Sequence, residues 1–147
     1  MGIFLNKKPD ELELMKINSR IEFINDRYKW ICSTDDLDAF ITGTNLMNED
    51  IKFVLKFKTK YPNYIKKSNL SILSKISKEK MFVERKFIDR YIMAIERKLL
   101  DYTTERGKTN NFNKKVDLLR YYADQLEPET LVYFNSQLSE RFPQYFK

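Results

Sequence analysis

The sequence has no histidine and a single cysteine, Cys32, among its 147 residues. One cysteine cannot close an internal disulfide, so nothing points to a secreted, cross-linked scaffold. Without histidine, the common zinc, iron and copper sites lack their usual ligands. A Ser-His or Cys-His nucleophile pair is impossible within the chain for the same reason. Glycine is scarce at three residues and proline at four. Sandwiches and barrels need many turns, so this scarcity argues for long continuous helices. The three glycines are scattered and build no phosphate-cradling loop. No apolar run approaches the length that spans a bilayer. The opening MGIFLNKK carries too short an apolar stretch for a signal peptide. A cytoplasmic, non-enzymatic protein without cofactor or metal is the expectation.

What is present is an ordinary globular balance, 42% apolar and 33% charged, in a length suited to a single helical domain. Pro9-Asp10-Glu11 reads as a helix start. Leu14, Ile17, Ile21, Ile24, Tyr28 and Ile31 follow at spacings of three and four, an apolar stripe on one helix. Ser33 and Asp36 have capping-box spacing for a short helix that Gly43 should end with a left-handed cap. Asn48-Glu49-Asp50 then reads as a fresh helix start, leading to a stop at Tyr61 imposed by Pro62. Residues 51–58 also alternate as a strand would, which leaves an α+β fold as the alternative. SNLSILSKIS (68–77) predicts a short helix. The strongest periodicity predicts a long antiparallel helical hairpin, 78–105 paired with 112–126, with Gly107 and KTNN as the turn. A last helix begins near Pro128 and ends before Pro143. The predicted fold is all-α, a compact bundle of about five to seven helices.

Charge is the informative feature. Residues 1–50 carry net −4, residues 51–120 net +12 and residues 121–147 net −2. Within the middle, residues 51–78 hold eight lysines and no acid. Lysines neutralise phosphates and release counterions, a sequence-independent source of affinity. The candidate nucleic-acid site is therefore Lys52, Lys56, Lys58, Lys60, Lys66, Lys67, Lys75 and Lys78. Tyr61 and Tyr64, with Phe53 and Phe57, are candidates for stacking on unpaired bases if exposed. DNA or RNA is the expected partner. The bland reading of the same segment is a solvated helix face over a core of aromatics. A helix-turn-helix across 48–77 would present Asn69, Ser71, Lys75 and Lys78, but the connection is long and has no glycine.

The alternative function is a protein-interaction module, an accessory, inhibitor or immunity-type protein docking on a larger partner. Its surface would be the basic face or the aromatic C-terminus, Arg141, Phe142, Tyr145 and Phe146. Peripheral attachment to anionic membrane through MGIFLNKK and the lysines is a third possibility. Asp35, Asp36 and Asp38 either cap a helix or hold Mg²⁺. Glu84, Asp89 and Glu96, interleaved with Arg85, Arg90 and Arg97, read as a solvated face with weak ion pairs.

Overall fold

The computed structural model describes residues 8–145. Among them there is no strand, and the fold is all-α. Six α-helices follow one another: α1 (Glu11–Ile31), α2 (Leu37–Lys60), α3 (Lys67–Lys78), α4 (Lys80–Leu99), α5 (Glu105–Tyr121) and α6 (Pro128–Arg141), with a 3₁₀ turn at Ala123–Gln125. The strand alternative for 51–58 is excluded, because those residues are interior turns of α2. The chain divides into two compact units. One comprises residues 1–30 and 42–78, the other residues 31–41 and 79–147.

In the first unit, α1 starts with a reciprocal cap. Asp10 Oδ1 accepts the Glu13 N–H at 2.7 Å, and Glu13 Oε1 accepts the Asp10 N–H at 3.4 Å, which satisfies two amide donors that the first turn leaves open. Ile17, Ile21 and Ile24 are buried, as their spacing requires. α2 runs through Gly43 rather than stopping there. No glycine among the described residues has positive φ, so Gly43 is no left-handed cap. Two rows at heptad spacing explain the continuity: Met47, Val54 and Tyr61 in one, Gly43, Asp50 and Phe57 in the other, all buried. Burying those side chains outweighs the roughly 1 kcal/mol that an interior glycine costs. Asp50, expected to open a helix, sits on this seam instead. The helix ends at Lys60, just before Pro62, as proline sterics predict.

α1 and α2 are antiparallel in this unit. Glu13 meets the end of α2, where the Tyr61 hydroxyl donates to Glu13 Oε1 at 3.3 Å. Further along, Arg20 and Arg27 both donate to the Asp50 carboxylate, Arg20 Nη1 at 2.6 Å from Oδ1 and Arg27 Nη1 on Oδ2.

In the second unit, α4, α5 and α6 form an up-down-up bundle. Tyr102 with Asn111 and Tyr91 with Lys115 set α4 and α5 antiparallel. Glu84 with Thr130, Asp89 with Tyr133 and Glu96 with Arg141 set α6 parallel to α4. The hairpin is shorter than its periodicity suggested, with helices at 80–99 and 105–121. The predicted turn residues are helical. Thr104 is the cap, accepting the Gly107 N–H on Oγ1 at 3.0 Å, and a Cβ on Gly107 would lie 3.0 Å from that oxygen. Residues 31–41 pack here too. Phe40 stacks on Phe87 at 4.2 Å, and Arg90 donates to the carbonyls of Thr34 and Ile31 at 2.8 and 2.9 Å.

The arginine–acid row on α4 is a solvated face only in part: Arg85 and Arg97 are exposed, but Glu84 is not. Glu84 lies on the core stripe with Ile88, Tyr91, Ile95 and Leu99, only 3% exposed. Its Oε1 accepts the Glu127 N–H at 3.0 Å and the Thr130 hydroxyl at 2.6 Å. It thereby caps the start of α6, whose own N-cap residue, Glu127, provides no side-chain hydrogen bond.

Tyr91 gives this unit an alkaline limit. Its phenol is buried and donates to the Lys115 carbonyl at 2.6 Å. Burial, then the charges of Asp38 and Asp36, push its pKa well above the ordinary 10.0. The folded state thus holds a proton that the unfolded chain releases at lower pH. The stabilisation is complete below pH 10 and is lost as pH rises from there through the folded value. Hydrogen bonds to Asp38 and Asp89 raise Tyr122 and Tyr133 in the same direction. We expect urea midpoints that are flat from pH 7 to about 9.5 and then fall. Tyr91→Phe should start lower and fall less steeply, because the buried phenol no longer has a proton to lose.

Candidate nucleic-acid interface

The first unit carries fourteen basic and seven acidic side chains, net +7; the second carries thirteen and fourteen, net −1. All eight lysines of 51–78 lie in the first unit, and all eight are exposed. Helical spacing explains their arrangement. Lys52, Lys56 and Lys60 stack along α2 opposite the buried Val54, Phe57 and Tyr61. Lys58 reaches water on the flank of the same helix. Lys66 ends the α2–α3 turn. Lys67, Lys75 and Lys78 share the face of α3 opposite Leu73 and Ile76, with Ser71 between them. Of these eight lysines only Lys60 has an ion pair among the described residues, a loose one to Glu13 at 3.9 Å. The other seven, six of them on helical backbone and Lys66 in the turn, have no ion pair among the described residues.

The aromatics divide differently from the expectation. Tyr61 is 2% exposed, its hydroxyl is held by Glu13, and its ring packs on Phe57 at 5.1 Å. It is a core residue and offers no stacking face. Phe57 is also buried. The heptad seam of α2 claims both. Tyr64 remains available at 38% exposure, edge-on to Tyr61. Phe53 is 39% exposed, with the Arg20 guanidinium 4.7 Å over its ring. The helix-turn-helix reading does not gain from the geometry: six residues separate α2 from α3, and Asn69 is half-buried.

Sequence reading missed Arg20, Arg27 and Phe23. Arg27 lies 5.5 Å over the Phe23 ring, which is 49% exposed. Both arginines sit on α1, outside the acid-free block that drew attention. Their interval of seven residues was the available signal, since it places them two turns apart on one face.

The C-terminal aromatics are largely committed to the second unit's core. Phe142 is buried against Phe112 at 5.2 Å, and Tyr145 packs on the same ring at 5.3 Å. The Tyr145 hydroxyl reaches Glu105 at 3.5 Å, and Arg141 pairs with Glu96 at 3.3 Å. The tail closes the bundle instead of presenting a hydrophobic anchor. Phe146, like residues 1–7, lies outside the described residues. Two of the acids of 35–38 are also engaged: Asp35 pairs with Arg97 at 3.1 Å and Asp38 accepts the Tyr122 hydroxyl at 2.7 Å. No metal-holding group of three side chains converges among the described residues. Nor is any helix there long and apolar enough to cross a membrane.

A cavity of about 320 Å³ in the second unit is lined by Asp35, Asp36, Tyr91, Ile95, Lys98 and Lys115 among others. Its charges are mixed and it gathers no catalytic constellation.

No protein-family model, no curated protein and no solved structure matches this chain.

Proposed function

We propose that this protein is a non-enzymatic nucleic-acid-binding protein whose first unit grips phosphates. One observation carries the reading: eight lysines on α2, the following turn and α3 are all exposed, and seven have no ion-pair partner among the described residues. Keeping like charges together costs stability unless a counter-charge is met outside the chain. A polyphosphate backbone supplies that counter-charge repeatedly along its length. Contacts of this kind position a nucleic acid without reading its sequence, so weak sequence selectivity is expected.

The quadruple variant Lys56→Glu, Lys60→Glu, Lys66→Glu, Lys67→Glu tests this. These side chains are exposed, so the helices should remain folded by circular dichroism. Fluorescence anisotropy with labelled DNA and RNA should show binding by the parent protein, with a log–log salt slope of about −3 to −5. The variant should lose binding by at least about a hundredfold, since four favourable contacts become four repulsive ones. A folded variant that binds as the parent does would overturn the assignment.

A further inference from the structure

The first unit contains a second cationic group, built differently from the lysines. Asp50 is only 2% exposed and accepts from two guanidiniums, those of Arg20 and Arg27. Bridged by the two oxygens of one carboxylate, the guanidiniums lie side by side with fixed orientation. Each is partly exposed, at 43% and 30%, and each lies over a phenylalanine ring, Arg20 over Phe53 and Arg27 over Phe23. One carboxylate neutralises one of the two cations, so the cluster keeps net positive charge. Arginine carries five donors in a planar fork. The bonds to Asp50 leave donors on each guanidinium free to engage a phosphate.

The same cluster is apolar and planar at its edges. Phe23 with Arg27 over its ring, and Phe53 with Arg20 over its ring, are brought together across the α1–α2 pair by the shared Asp50 carboxylate. On α2 the row continues at heptad spacing from Phe53 to Lys60, with Lys56 one turn from each. Aromatic planes and guanidiniums alternating with ammonium groups are what an unpaired strand requires, because its bases have free faces and its phosphates follow at short intervals. A duplex keeps its bases stacked inside and can use only the cations.

We propose that the Arg20–Asp50–Arg27 cluster, with Phe23 and Phe53, is a stacking platform for single-stranded nucleic acid. It rests on the nucleic-acid reading above and adds strandedness to it. The lysines supply affinity common to single and double strands. The platform supplies the difference between them.

The test compares a labelled twenty-nucleotide single strand with its duplex by anisotropy at matched salt, for the parent protein and for Phe23→Ala/Phe53→Ala. Both rings are surface-exposed, and circular dichroism checks that the double variant folds. The parent should favour the single strand by about tenfold or more, the scale of one or two base stacks. The variant should lose that preference while duplex affinity and salt slope stay unchanged. Equal binding of both forms by the parent would overturn the platform and leave the lysine grip standing. So would a preference that survives in the folded variant. Binding to neither form would overturn both readings. Sedimentation with vesicles containing phosphatidylserine, in the absence of any nucleic-acid binding, would instead assign the exposed phenylalanines to a membrane surface.

Discussion

Asp50→Ala is expected to destabilise the first unit by about 2–3 kcal/mol, among the largest effects of any single substitution there. The carboxylate is nearly inaccessible and accepts from both Arg20 and Arg27. Removing it leaves two guanidiniums side by side with no counter-charge. Breaking a wholly buried pair costs about 3–5 kcal/mol, but these arginines are 43% and 30% exposed and can partly rehydrate, which sets the lower figure. The comparison with the other partners is the sharper part of the prediction. Arg20→Ala or Arg27→Ala leaves the carboxylate with one cation still in place, so each should cost about 1 kcal/mol or less. Thermal melts should rank Asp50→Ala lowest, by about 5–10 °C below the parent. Hydrogen exchange should quicken in α1 and α2. If Asp50→Ala melts within a degree of the parent, the guanidiniums hydrate as well alone as on the carboxylate, and the clamp contributes no net stability.

Asp50 also marks where the sequence stopped being legible. The apolar stripes of α1, α5 and α6 could be read directly, because Ile17, Ile21, Ile24, Phe112, Val116, Leu119, Phe134 and Leu138 bury as their spacing demands. Helix ends set by local chemistry were legible too, as at Pro62. What failed were seam positions held by a residue that is not apolar. Asp50 looked like a helix start because acids favour first turns, and its partners lie 30 and 23 residues back along the chain. Gly43 looked like a cap because no local signal distinguishes a glycine packed inside a helix from one that ends it. Glu84 looked solvated because its charge matched the alternating arginines around it. For Asp50 and Glu84 the deciding interaction is with residues of another helix, where periodicity on a single helix carries no information.

The candidate site divides along the same line. The exposure of Lys52, Lys56, Lys60, Lys75 and Lys78 followed from their spacing against buried Val54, Phe57, Leu73 and Ile76, whereas Lys58, which spacing puts toward the apolar side, is exposed as well. The fate of the aromatics did not, since Phe53 and Phe57 stand one helical turn apart and face opposite environments. Tyr61 is taken by the core through Glu13, a residue 48 positions away. Phe53 is left outside and meets Arg20, also on α1. The proposed strand-selective surface thus joins Phe53, which lies in the acid-free block, to Phe23, Arg20 and Arg27 of α1, which that block would not single out.

Glu84→Ala should cost the second unit about 3 kcal/mol. One carboxylate oxygen takes both the Glu127 amide and the hydroxyl of Thr130, which is completely buried. Truncation leaves two donors facing a space lined by protein, each with a desolvation penalty of about 1–3 kcal/mol. It also removes a negative charge from the positive end of α6. Water can reach the Glu127 amide more easily than the Thr130 hydroxyl, so the two losses should not be equal. Glu84→Gln keeps a carbonyl acceptor and should cost roughly half as much, the difference being the charge-assisted part of the bonds. Thr130→Val, which removes the donor and keeps the shape, should cost about 1 kcal/mol alone and little in the Glu84→Ala background. A double-mutant cycle by urea denaturation would therefore give a coupling of about 1 kcal/mol or more between positions 84 and 130. Additive losses would mean that the hydroxyl finds another acceptor. Glu84 would then stabilise the bundle chiefly through its charge at the end of α6, and Glu84→Gln would be as damaging as Glu84→Ala.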